Sequence, residues 1–171
     1  MIAVAGVLEG LILISVPGQA GPPPPSVSTV TLAIGGTHLI PLTDAVRARF
    51  HQADRDAGKV EGFYELTQGI ARSAQELSRE WMVLYAHCEF FGGDGIHAAI
   101  AWHQESVIFG PCFTRTRGEL ADPPYLTADP PDMAINAGLR ALGIQTAAGR
   151  HDEFATIGLD KHRWTNDWLT E

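Results

Sequence analysis

Residues 81–103 read Trp81-Met82-Val83-Leu84-Tyr85-Ala86-His87-Cys88-Glu89-Phe90-Phe91-Gly92-Gly93-Asp94-Gly95-Ile96-His97-Ala98-Ala99-Ile100-Ala101-Trp102-His103. The first eleven of these contain neither proline nor glycine and include four aromatic side chains, the composition of a strand. Three glycines around Asp94 then allow the positive φ angles of a tight turn, and residues 96–103 return as a second strand. A two-residue Gly93-Asp94 turn sets Phe91 opposite Ile96, His87 opposite Ile100 and Tyr85 opposite Trp102 on one face. On the other face it sets Phe90 opposite His97, Cys88 opposite Ala99 and Leu84 opposite His103.

The same reading extends in both directions. After Gln104-Glu105-Ser106, residues 107–113 form a third strand interrupted by Gly110-Pro111, and residues 115–131, punctuated by four prolines, form a long loop. Upstream, residues 27–34 and 37–42 flank Gly35-Gly36 and make another hairpin. Thr43-Asp44 starts a helix whose inward face is Val46, Phe50, Ala53 and Ala57. A second helix is expected over residues 60–77, with Val60, Phe63, Leu66, Ile70, Ala74 and Leu77 on one stripe. A third spans 132–142 and stops at Gly143, one or two helical turns follow over 151–159, and a capped turn holds Trp164 and Trp168. Strands and helices are grouped rather than alternating. The expected fold is therefore α+β: an antiparallel sheet of about five strands in two hairpins, packed against two to three helices.

Residues 1–43 differ from the rest: Glu9 is their only charged side chain. Residues 2–16 are mainly apolar, too short to span a bilayer as a helix but as long as a signal-peptide core, with Gly18-Gln19-Ala20 as a small-x-small pattern. No basic residue precedes this run, which points to the cytoplasm, with export as the alternative. Four prolines, Pro22 to Pro25, form a stiff spacer. Residues 1–26 thus read as an apolar leader plus proline-rich linker, and 27–171 as a single domain.

The whole chain has 171 residues with 12 basic against 20 acidic side chains, net −8, which disfavours binding to a phosphate backbone. Two cysteines exclude a disulfide-dense scaffold and a four-cysteine zinc site. No membrane span, metal or cofactor is expected.

His87-Cys88-Glu89 with Pro111-Cys112 resembles the His-x-Glu…Pro-Cys-x-x-Cys signature of zinc-dependent deaminases, in which one histidine and two cysteines hold zinc and the glutamate moves protons. Arg115 stands where the second cysteine belongs, and the triplet lies in a strand, which puts His87 and Glu89 on one face and Cys88 on the other. Cys88 with His97 or His103 is a candidate nucleophile and base, and Cys88 with Cys112 a candidate bridge. The catalytic candidates are accordingly His87, Cys88, Glu89, His97 and His103. Trp164, Trp168, Asp152 and Glu153 are the candidate binding residues, the two tryptophans serving as anchors or as an interface pair.

The Phe90-Phe91-Gly92-Gly93-Asp94-Gly95 hairpin, the later Ile135-Asn136 to Leu142-Gly143 stretch and the tail Asp152-Glu153-Phe154…Gly158-Leu159…Arg163…Asp167-Trp168 are similar to a group of small bacterial proteins carrying these motifs. The resemblance implies an α+β domain and brings no activity with it. Size and acidity then favour a noncatalytic protein-binding or regulatory module, of immunity or antitoxin type in its narrowest form, with a protein partner. The alternative is a small metal-assisted hydrolase or deaminase-like enzyme using His87, Glu89 and His97.

Overall fold

The computed structural model describes residues 5–18, 22–24, 27–91 and 94–169. Its centre is a seven-stranded sheet of order β2-β3-β1-β4-β5-β6-β7. The strands are β1 (Ala5–Ser15), β2 (Val30–Thr31), β3 (Thr37–Pro41), β4 (Trp81–Phe91), β5 (Asp94–His103), β6 (Ser106–Arg115) and β7 (Leu126–Thr127). Pairing is antiparallel throughout except for β6 with β7. Helices α1 (Asp44–Ala53) and α2 (Gln68–Leu77) cover one face, and α3 (Ala134–Ala141) and α4 (Glu153–Thr156) cover the other. The α+β class and mostly antiparallel sheet match the expectation, while among the described residues the counts rise to seven strands and four α-helices.

The two added strands come from segments given other roles above. Residues 5–15, expected to lie in a leader outside the domain, are instead a central strand paired with β3 on one edge and β4 on the other. The correction has a physical cause. Leu11 and Leu13 point into the core under α1 and α2, and Leu8, Ile12 and Ile14 into the core under α3 and α4. A strand buried on both faces reads as an unbroken apolar run, with no alternation to separate it from a signal core. Gly6 belongs to this packing, since a Cβ there would fall inside the Phe90 ring. The other added strand, β7, lies in the long 115–131 loop; beside it Tyr125 is buried against Phe113 and Tyr64.

The β4–β5 ladder pairs Phe91 with Asp94, His87 with Ala98, Cys88 with His97 and Tyr85 with Ile100. The register therefore differs from the expected one by two residues. An even shift preserves every face assignment: Val83, Tyr85, Ile100 and Trp102 still share one side and Leu84, Cys88, Ala99 and Ala101 the other. Gly92 and Gly93, the latter in the expected turn, and part of the expected linker and cleavage pattern, residues 19–21, 25 and 26, lie outside the described residues.

Helix α1 starts as expected, with the Thr43 hydroxyl accepting from the Val46 amide at 3.2 Å. The second helix is shorter than its stripe. Gly62 sits at φ +86°, incompatible with a right-handed helix, and the helix begins only after Thr67, whose hydroxyl accepts from Ile70 N at 3.3 Å. Residues 58–67 instead cross over Phe113 and Tyr85, placing Phe63 at their edges. Among the described residues, no helix is long and apolar enough to cross a membrane.

Candidate functional site

Strand β4 carries the sequence candidates and divides them. His87 and Glu89 emerge on the α1–α2 face, with Cys88 on the opposite face directly across from His97. His103 lies at the far end of β5, about 20 Å from His97 at strand rise. The deaminase-like grouping is thereby split by the sheet itself. Cys88 and Cys112 are both free, on β4 and β6 with β5 between them. Two strand spacings, about 9.5 Å, exceed the reach of a disulfide. Burial pushes the Cys88 thiol up to about 12, so it is no thiolate nucleophile at neutral pH. Among the described residues, no three His, Cys, Asp or Glu side chains are grouped to hold a metal.

The half that stays together is His87 with Glu89, and the structure adds partners the sequence did not offer. Glu9 lies directly across the ladder from His87 and is 5% exposed. Arg47, from α1, donates through Nε to Glu9 Oε1 at 3.0 Å and through a terminal nitrogen to both carboxylate oxygens. Tyr85 donates its hydroxyl to Glu9 Oε2 at 2.5 Å. Burial opposes the charge on Arg47, but the bonds and charge of Glu9 outweigh it and raise the guanidinium pKa. Burial, reinforced by the Glu9 charge, drives the Tyr85 phenol well above its ordinary value, so it remains a donor.

These groups form the floor and one wall of an open cleft of about 290 Å³. Its far wall is the C-terminal segment. Beyond the reach of β3, the free edge of β1 is taken by residues 163–165: Val7 N donates to Arg163 O at 2.9 Å, and Val7 bridges Trp164 in parallel. The Thr165 hydroxyl donates to Val7 O at 3.1 Å and accepts from Glu9 N at 3.0 Å. Trp164 is left 46% exposed on the rim. Four carboxylates, Glu9, Asp44, Glu65 and Glu89, line this cleft against one guanidinium, Arg47. His87 is 2% exposed, and its Nε2 has no hydrogen-bond partner, with Glu89 Oε1 3.5 Å away.

The four binding candidates separate as well. Trp164 reaches the cleft, whereas Trp168 is buried in the opposite core with its ring edge against His162. Glu153 is buried and bound to Arg140 at 2.9 Å, a structural tie between α4 and α3. Asp152 caps α4 by accepting from Ala155 N at 2.8 Å and faces a second hollow. Glu9 and Arg47 were missed because Glu9 looked like a flaw in an apolar leader. A lone carboxylate in the middle of a strand-length apolar run was the available signal for a buried, paired charge.

No protein family, curated protein or solved structure matches this chain.

Proposed function

We propose that the chain is a noncatalytic protein-binding module whose acidic cleft receives a lysine or arginine side chain of a basic protein partner. The observation that carries this reading is the set of four carboxylates around a single guanidinium beside a half-exposed indole. Arg47 is already committed to Glu9 and Lys59 stands 3.6 Å from Glu65, so Asp44 and Glu89 leave the cleft with an excess of negative charge. An indole on the rim adds a cation–π surface, worth ~0.5–2 kcal/mol. The net charge of −8 extends the same field outward and accelerates encounter with a basic partner at low salt. An immunity-type role against a basic toxin enzyme is the narrower form of this reading.

The test is calorimetry with an arginine-rich synthetic peptide and a glutamate-rich peptide of the same length, at low and high salt. Preferential binding of the cationic peptide, weakened about tenfold by Trp164→Ala and by Glu89→Lys, is expected. Equal affinity for both peptides, or binding indifferent to both substitutions, would overturn the proposal.

A second reading, a metal-assisted hydrolase, is favoured by one observation: His87 Nε2 and Glu89 Oε1 lie 3.5 Å apart in the same cleft. It requires zinc to raise the melting temperature of the wild type but not of His87→Ala; no zinc effect on either protein removes it.

A further inference from the structure

The sheet face opposite the cleft carries a separate hollow. A cavity of about 370 Å³ lies where the paired ends of β4 and β5 meet the starts of α3 and α4. Ligand sites commonly run from ~300 to 1,000 Å³, so this one suits a small molecule. Phe90, Met133 and Phe154 supply apolar wall, and Cys88 and His97, paired across the ladder, supply the sheet side.

Two polar side chains, His97 and Asp152, line this hollow. His97 Nδ1 is shut off from the hollow as from solvent and has no hydrogen-bond partner. The imidazole stands 6.2 Å from the Phe154 ring at a tilt of 35°. Desolvation holds it at about 4, so at neutral pH it is uncharged and one ring nitrogen is an acceptor. Asp152 uses Oδ1 on the Ala155 amide; its Oδ2 takes a 3.3 Å bond from Asn136 Nδ2 and has His151 at 3.8 Å. An ionised carboxylate oxygen accepts more than one such bond.

Charge on the walls is mixed. Asp152 and Asp160 oppose an anion, Arg163 offsets part of their attraction for a cation, and much of the remaining wall is apolar. The Cys88 thiol, protonated and fully buried, contributes shape rather than reactivity.

We propose that this cavity binds a flat, uncharged, N–H-bearing aromatic heterocycle, its ring packed among Phe90, Met133 and Phe154 and its N–H donated to the Asp152 carboxylate. The site is on the other face of the sheet from the acidic cleft, and its occupancy does not depend on the protein-binding reading.

Benzimidazole is the probe, with 1-methylbenzimidazole as the isostere lacking N–H and benzoate as the anion, followed by calorimetry and amide chemical shifts. Benzimidazole is expected to bind at least tenfold more tightly than either control and to shift the amides of residues 95–98 and 152–155. Asp152→Asn should weaken it about tenfold. Asparagine caps a helix as well as aspartate, so this variant keeps α4 and reads the site. Equal affinity for benzimidazole and its methylated form, no binding at millimolar probe, or unchanged affinity in Asp152→Asn would each overturn the proposal.

Discussion

Arg47 of the first helix grips Glu9 of the central strand with two of its nitrogens, and this contact fixes α1 to the sheet at the floor of the acidic cleft. Both side chains are mostly buried, with relative exposures of 18% for Arg47 and 7% for Glu9. Removing one member strands the other away from water, at a cost of about 3–5 kcal/mol. Glu9→Ala and Arg47→Ala should each lose stability of this order in urea denaturation. The double variant Glu9→Leu/Arg47→Met, which leaves no unpaired charge, should recover most of it.

Thr165 ties the C-terminal segment to the same strand through two backbone groups. Thr165→Val keeps the shape and removes both bonds, at ~0.5–1.5 kcal/mol each. The expected result is faster hydrogen exchange at the Glu9 amide and earlier proteolysis near residue 163, with the α2 amides unchanged.

His97 makes the fold sensitive to mild acid. Its folded pKa, about 4, lies below the ordinary value of 6.5, because burial disfavours the imidazolium and outweighs the attraction of Asp152. The unfolded chain therefore takes up the proton first. Stability from this group is complete above about pH 6.5, falls as pH drops towards 4, and changes no further below that. The full loss is at most about 3 kcal/mol. Melting temperature measured from pH 7.5 to 4.5 should fall less steeply for His97→Gln than for the wild type.

The two thiols should differ in reactivity. Cys112 is partly exposed and Cys88 is wholly buried, with its thiol raised to about 12. Native alkylation at pH 8 followed by mass spectrometry should modify Cys112 and spare Cys88 until denaturant is added. Neither should appear as a disulfide under mild oxidation.

Much of the fold was legible because its signals are local. The 81–103 ribbon, the Thr43 cap and the alternation along β4 and β5 depend on neighbours in sequence, and the structure preserves their faces even where the register moves by two. Helix α2 was overextended because its apolar stripe continues through Phe63, while the positive φ of Gly62 is set by tertiary packing against Phe113. The site was harder. His87 and Glu89 were identified from their spacing, but their cleft is completed by Glu9, Arg47 and Thr165, which lie up to 78 positions away from His87 and meet it only through the sheet. A central strand such as β1 has no periodic signature, so the residue that anchors the cleft was hidden in the segment set aside as a leader.

The clasp between Val7 and residues 163–165 also orders events during synthesis. The first apolar strand leaves the ribosome some seventy residues before its β4 partner, and the segment that closes its remaining edge follows 156 positions after Glu9. Until then the nascent chain carries an incompletely paired hydrophobic edge, the template on which misassembly starts. Folding should accordingly be slow and dominated by distant contacts, and chains released before residue 165 should be retained by chaperones or aggregate rather than acquire a native core.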